Sequence, residues 1–133
     1  MKTGIKTSKL ILVAAVAVAG LGMAPAAHSD AGEDLTSVLL NDYGNRDAYT
    51  YSWRSYGNKN VAVRDERADG VGVYSLYDRL NNSGLRLNNN RGQDTTEYSG
   101  SSTTNYVRKV TACLDARLLP DPCGPDDRPN DGR

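Results

Sequence analysis

The chain has 133 residues, 38% hydrophobic and 24% charged, with 16 basic and 16 acidic side chains, the size and balance of one small globular domain. That neutrality joins two unlike parts: Lys2, Lys6 and Lys9 precede any acid, and removing these three of the 16 bases leaves 13 against 16 acids, a charge of about −3. Such a body lacks the basic face that nucleic-acid or anionic-membrane binding requires, and since its only histidine is His28, it holds no imidazole to activate a Ser or Cys nucleophile.

Taken in chain order, Met1 to Lys9 is a basic stretch, followed by an apolar run from Leu10 to Leu21. The run suits a signal-peptide core and is too short for a membrane span, which needs about 20 apolar residues. Small residues around Ala26 and Ser29 offer cleavage near 26 or 29, so residues 1–29 are expected to be a leader and the mature protein secreted and extracellular.

Residues 30–47 are expected to form an N-terminal extension. Leu35, Val38 and Leu39 stand at i, i+3 and i+4 behind Asp34 as N-cap, which suits a helical turn; a short strand fits as well. The turn-forming residues from Asn41 to Asp47 then predict a flexible or looped connection to the body.

From Ala48 the period changes to two. Tyr49, Tyr51 and Trp53 alternate with polar residues, as in a half-buried strand. Further strands are predicted at Val61–Arg64, Val71–Arg79, Leu85–Leu87, around Glu97–Tyr98 and at Asn105–Leu114, separated by Gly- and Asn-rich turns. Short strands about ten residues apart with no long helical period predict an all-β fold, a single small antiparallel β-sandwich, immunoglobulin-like or similar, over residues 48–124. Cys113 and Cys123 are expected to pair as one C-terminal disulfide, which export permits. Residues 125–133, charged and poor in apolar side chains, are expected to be a disordered tail.

The candidate site residues have two readings each. Tyr49, Tyr51 and Trp53 either form the inner face of a core without Phe or make a platform for a protein or, more weakly, a carbohydrate. Leu118 and Leu119, inside the Cys113 to Cys123 loop, either cap the open end of the sandwich or present a constrained protease-binding segment. Asp65, Glu66 and Asp69 invite calcium, against a turn held by side-chain hydrogen bonds. No cofactor and no catalytic or metal-binding residue set is expected.

Val61–Asp65 (VAVRD), Ala68–Tyr74 (ADGVGVY), Leu85–Asn90 (LRLNNN) and Tyr106–Leu114 (YVRKVTACL), with the second Cys ten residues on, stand in an order that resembles small secreted β-sandwich proteins of filamentous actinomycetes such as Streptomyces. The resemblance covers residues 48–124. One group of these proteins is the adaptor subunit of umbrella toxin particles, linking a lectin subunit to a toxin-bearing stalk. It implies a non-catalytic adaptor whose partners are other secreted proteins. The residues themselves add two docking elements, the Leu35, Val38 and Leu39 segment and the Tyr49, Tyr51 and Trp53 face. The alternative reading is an inhibitor of a secreted protease acting through the disulfide-closed loop.

Overall fold

The computed structural model describes residues 32–117 and 120–130. The leader region, Leu118, Leu119 and residues 131–133 lie outside the described residues. Among those described, seven strands form two antiparallel sheets: β1 Leu35–Leu40, β2 Arg46–Ser52, β3 Ala62–Asp65 and β6 Thr96–Tyr98 in the order β1-β2-β3-β6, and β4 Val73–Arg79, β5 Leu85–Asn89 and β7 Val107–Leu114 in the order β5-β4-β7. A single 3-10 turn, Arg54–Tyr56, follows β2. The fold is the expected all-β antiparallel sandwich, with the Cys113–Cys123 disulfide formed.

The inner faces supply two apolar clusters. Leu35, Val61, Tyr77, Val107 and Val110 fill one end, and Leu39, Ala48, Val63, Val73 and Ala112 the other. Between them runs a belt of buried hydroxyls. Thr50 Oγ1 lies 2.7 Å from Ala62 O and 2.8 Å from Ser75 Oγ. One hydroxyl carries one proton, so Thr50 donates to the carbonyl and Ser75 donates to Thr50. Ser37 Oγ accepts from Ala112 N at 2.9 Å and donates to Pro125 O at 2.6 Å. Each hydroxyl is thus satisfied, which removes the penalty of burying a lone polar group.

Two sequence-based boundaries are corrected. The segment expected as an extension is strand β1, paired with β2 from Leu35↔Ser52 to Leu40↔Arg46. Leu35 and Leu39 are buried in the two core clusters, so they are not available to dock on a partner; Val38 faces outward opposite Tyr49. The turn formers make a hairpin in which Asn41 Oδ1 accepts from Tyr43 N and Asn45 N, not a flexible link.

The second correction concerns the tail. Residues 122–127 run beside the outer edge of β7 and close the gap to β1. Leu114 N donates to Pro122 O, Gly124 N to Ala112 O, and Val110 and Asp127 exchange both backbone bonds. Asp127 Oδ2 also accepts from Thr36 N across the seam. Gly124 is required there, because a Cβ on it would stand 2.2 Å from Val38 O. The charged, apolar-poor composition predicts disorder, but the disulfide delivers this segment to an unpaired edge whose backbone groups need partners.

Candidate functional site

Alternation along β2 sends Ala48, Thr50 and Ser52 inward and Tyr49 and Tyr51 outward. Trp53 continues the outward row. The three rings form a ladder: Tyr49 and Tyr51 have centroids 5.2 Å apart, and Tyr51 and Trp53 stack at 4.7 Å with 25° between planes. The core reading of these aromatics is therefore corrected. Small side chains occupy the inside of β2 because they feed the hydroxyl belt and sit opposite the bulky Val and Leu of the other sheet.

The cross-strand register widens the ladder into a face. Tyr51 pairs with Ala62, which pairs with Tyr98, so two phenols flank one small residue. Burial first, then the neighbouring Tyr98 and Tyr49 phenols, push the Tyr51 phenol up to about 12, with the Arg64 charge opposing. Tyr49 is also raised, chiefly by burial, with Arg46 opposing and Glu66 and Asp34 adding. Both remain neutral hydrogen-bonding groups at physiological pH.

Beyond the ladder, the 3-10 turn places Tyr56 at 63% exposure, and Tyr98 is 59% exposed. Tyr51, Trp53, Tyr56, Tyr98, Lys59 and Asn60 line a cleft of about 470 Å³. Its frame is stiff. Trp53 O accepts from Tyr56 N and Asn58 N, and Gly57, at φ 66, donates to Arg54 O. Asn58 is buried and sends Nδ2 to Glu33 O at 3.0 Å and Ser52 O at 3.1 Å, fastening the turn to the residues that lead into β1 and to β2. Arg79 ties the opposite wall, reaching Asn105 O at 2.7 Å, Gly100 O at 2.6 Å and Lys59 O at 3.1 Å.

The structure thus brings Tyr49, Tyr51 and Trp53 together and adds Tyr56, Tyr98, Asn58 and Arg79, which the sequence reading had not singled out. Tyr98 could have been found from its place on a short strand, but its neighbour across β3 depends on sheet order. Tyr56 and Asn58 carried only turn signals.

The remaining candidates separate. Asp65 Oδ1 accepts from Arg67 N and Asp69 Oδ1 from Val71 N, two turns closed by side chains. Glu66 pairs with Arg64 at 2.7 Å. Burial pushes the Asp65 carboxyl up, with Asp69, Asp47 and Asp94 adding and the Arg67 N–H opposing. Among the described residues, no group of three or more His, Cys, Asp or Glu is placed to hold a metal. The disulfide loop is clamped at its base: Asp121 accepts from Ala116 N at 2.8 Å and from the Tyr74 hydroxyl at 2.6 Å. Leu118 and Leu119, its candidate contacts, lie outside the described residues.

Among the described residues no helix is long and apolar enough to cross a membrane. No family model, curated protein or solved structure matches the chain.

Proposed function

We propose that this chain is a secreted, non-catalytic protein-interaction module, an adaptor within an extracellular assembly of the kind the umbrella toxin resemblance implies. The observation that carries the reading is the outward, half-buried ladder Tyr49, Tyr51 and Trp53 with the exposed Tyr56 and Tyr98 around its cleft. Tyr and Trp offer large, stiff contact areas with polar tips, and they dominate binding hot spots. The loop after Tyr98 reads Ser-Gly-Ser-Ser-Thr-Thr-Asn, small polar residues that adapt around such anchors. The docking element moves accordingly from the Leu35 segment, consumed by the core, to the sheet face.

Affinity purification of the tagged protein from the culture supernatant of its own cells tests this. Large secreted proteins should be recovered, and the double variant Tyr51→Ala/Tyr98→Ala should recover at least about tenfold less, since losing two hot-spot aromatics costs upwards of about 2 kcal/mol. Isolation of the native protein as a lone monomer, or recovery unchanged in the double variant, overturns it. A second reading, protease inhibition through the Cys113 to Cys123 loop, is favoured by the Asp121 clamp alone, because a pre-ordered loop loses little entropy on binding. A panel of secreted serine and metalloproteases unaffected by the wild-type protein retires it.

A further inference from the structure

The aromatic ladder has two unlike ends. At the Tyr49 end, the Arg46 guanidinium carbon stands 4.9 Å from the ring centroid, and Arg46 lies 3.9 Å from Glu66. That end is complete: ring, guanidinium, carboxylate. At the other end, one face of Trp53 stacks on Tyr51, and Trp53 with Asp34, Arg54, Ser55 and Tyr56 lines a second, open cleft of about 600 Å³.

The ring and the carboxylate recur here. Asp34 Oδ1 accepts from Arg54 N at 2.8 Å, which fixes the acid beside the indole. The guanidinium does not recur. Among the described residues, guanidinium-over-ring contacts fall on Tyr49, Tyr77 and Tyr74, and none on Trp53. Arg54 lines the same cleft, but its guanidinium makes no such contact with the Trp53 ring. The surface therefore presents the best aromatic face for a cation, next to a positioned acid, on a body whose acids outnumber its bases.

Resting on the interaction reading above, we propose that the partner inserts an arginine side chain over Trp53 and pairs it with Asp34. Arginine suits the place better than lysine. Its flat guanidinium stacks on an indole while its N–H groups reach sideways to a carboxylate, and it sheds water more readily than an ammonium.

Trp53 is the chain's single tryptophan, so its fluorescence reports on the two clefts it lines, and the Asp34 variant tells them apart. The probe is an acetylated, amidated Gly-Arg-Gly peptide. Its comparisons are the same peptide with lysine, the same with citrulline (equal in shape, without charge) and a neutral N-acetylglucosamine oligomer. The arginine peptide should saturate in the millimolar range, at least about threefold more tightly than the citrulline peptide. Asp34→Asn, which keeps the acceptor for Arg54 N, should remove most of that difference.

Equal binding of arginine and citrulline peptides, an Asp34→Asn variant that still discriminates, or a saturable response to the sugar alone would overturn the proposal. The supernatant capture separates the two readings. Capture that depends on Tyr51 and Tyr98 without arginine discrimination removes only the arginine; discrimination without any captured partner removes only the adaptor.

Discussion

The two outer faces of the sandwich treat the same residue type in opposite ways. On the β5-β4-β7 sheet, Tyr74 is covered: the Arg86 guanidinium lies 3.5 Å above its ring, its hydroxyl donates to Asp121, and it is 4% exposed. Charged pairs occupy the rest of that face, Lys109 with Asp78 and Arg86 with Asp115, both at 3.6 Å. On the β1-β2-β3-β6 sheet the rings cover one another, while Tyr56 and Tyr98 stand in solvent. One face thus covers its aromatic with a loop and an arginine, while the other gives Tyr49 an arginine alone and leaves Tyr51, Trp53, Tyr56 and Tyr98 without one, the surface on which the proposed contact rests.

The largest change comes from removing the staple that holds the covering loop and the sealing segment. Cys113→Ser/Cys123→Ser opens a loop of sequence separation 10, worth roughly 3 kcal/mol in the chain-entropy view. Guanidinium unfolding should show a loss of that order. Hydrogen exchange should speed up at Val110 and Leu114, whose N–H groups donate to Asp127 and Pro122, far more than at Tyr49 or Tyr51. Equal acceleration on both sheets would mean that the segment seals the whole sandwich and that the faces are not independent.

Asn58→Ala comes next and strikes the open face. It leaves Glu33 O and Ser52 O without their Asn58 partner in a buried place, a cost of about 2 kcal/mol. The 3-10 turn should loosen and carry Trp53 and Tyr56 with it, so the supernatant capture should fall together with stability. A stable variant that captures normally would show that the cleft does not depend on its frame.

How much of this was legible in the sequence follows from the range of each interaction. Period-two alternation and Gly/Asn turns are local, so the strands, the fold class and the outward row of β2 as a set could be read directly. Which side of β2 was inner could not. The rule that large apolar rings go inside pointed the wrong way, because the hydroxyl belt of Ser37, Thr50 and Ser75 is completed by three different strands and becomes visible only when they meet. The tail failed for a similar reason: nothing local in Pro125 to Asp127 says that an unpaired edge of β7 and Thr36 N wait for it. The disulfide was legible too, since a chain with two cysteines and an expected export leader offers one pairing.

The smallest effect separates the two faces most sharply. Tyr74 and Tyr51 are both pushed up to about 12, burial being the first cause in each, but the next is the Asp121 carboxylate, hydrogen-bonded at 2.6 Å, for one and the neighbouring Tyr98 phenol for the other. Tyr74→Phe gives up a bond to a charged acceptor and should cost about 1–2 kcal/mol at neutral pH. Tyr51→Phe, on the open face, should cost well under that. A raised folded-state pKa means that the neutral phenol is the form the fold prefers; its contribution is complete below the unfolded value near 10 and is lost as pH rises through about 12. The wild-type protein should therefore weaken over that alkaline range while Tyr74→Phe is spared that loss, and the stability gap between them should close. Alkaline absorbance titration should show one late-ionising tyrosine fewer in each variant. If the Tyr74→Phe gap stayed constant up to pH of about 12, the hydroxyl would not be the link between the covered ring and its loop, and the contrast between the faces would rest on the Arg86 stack alone.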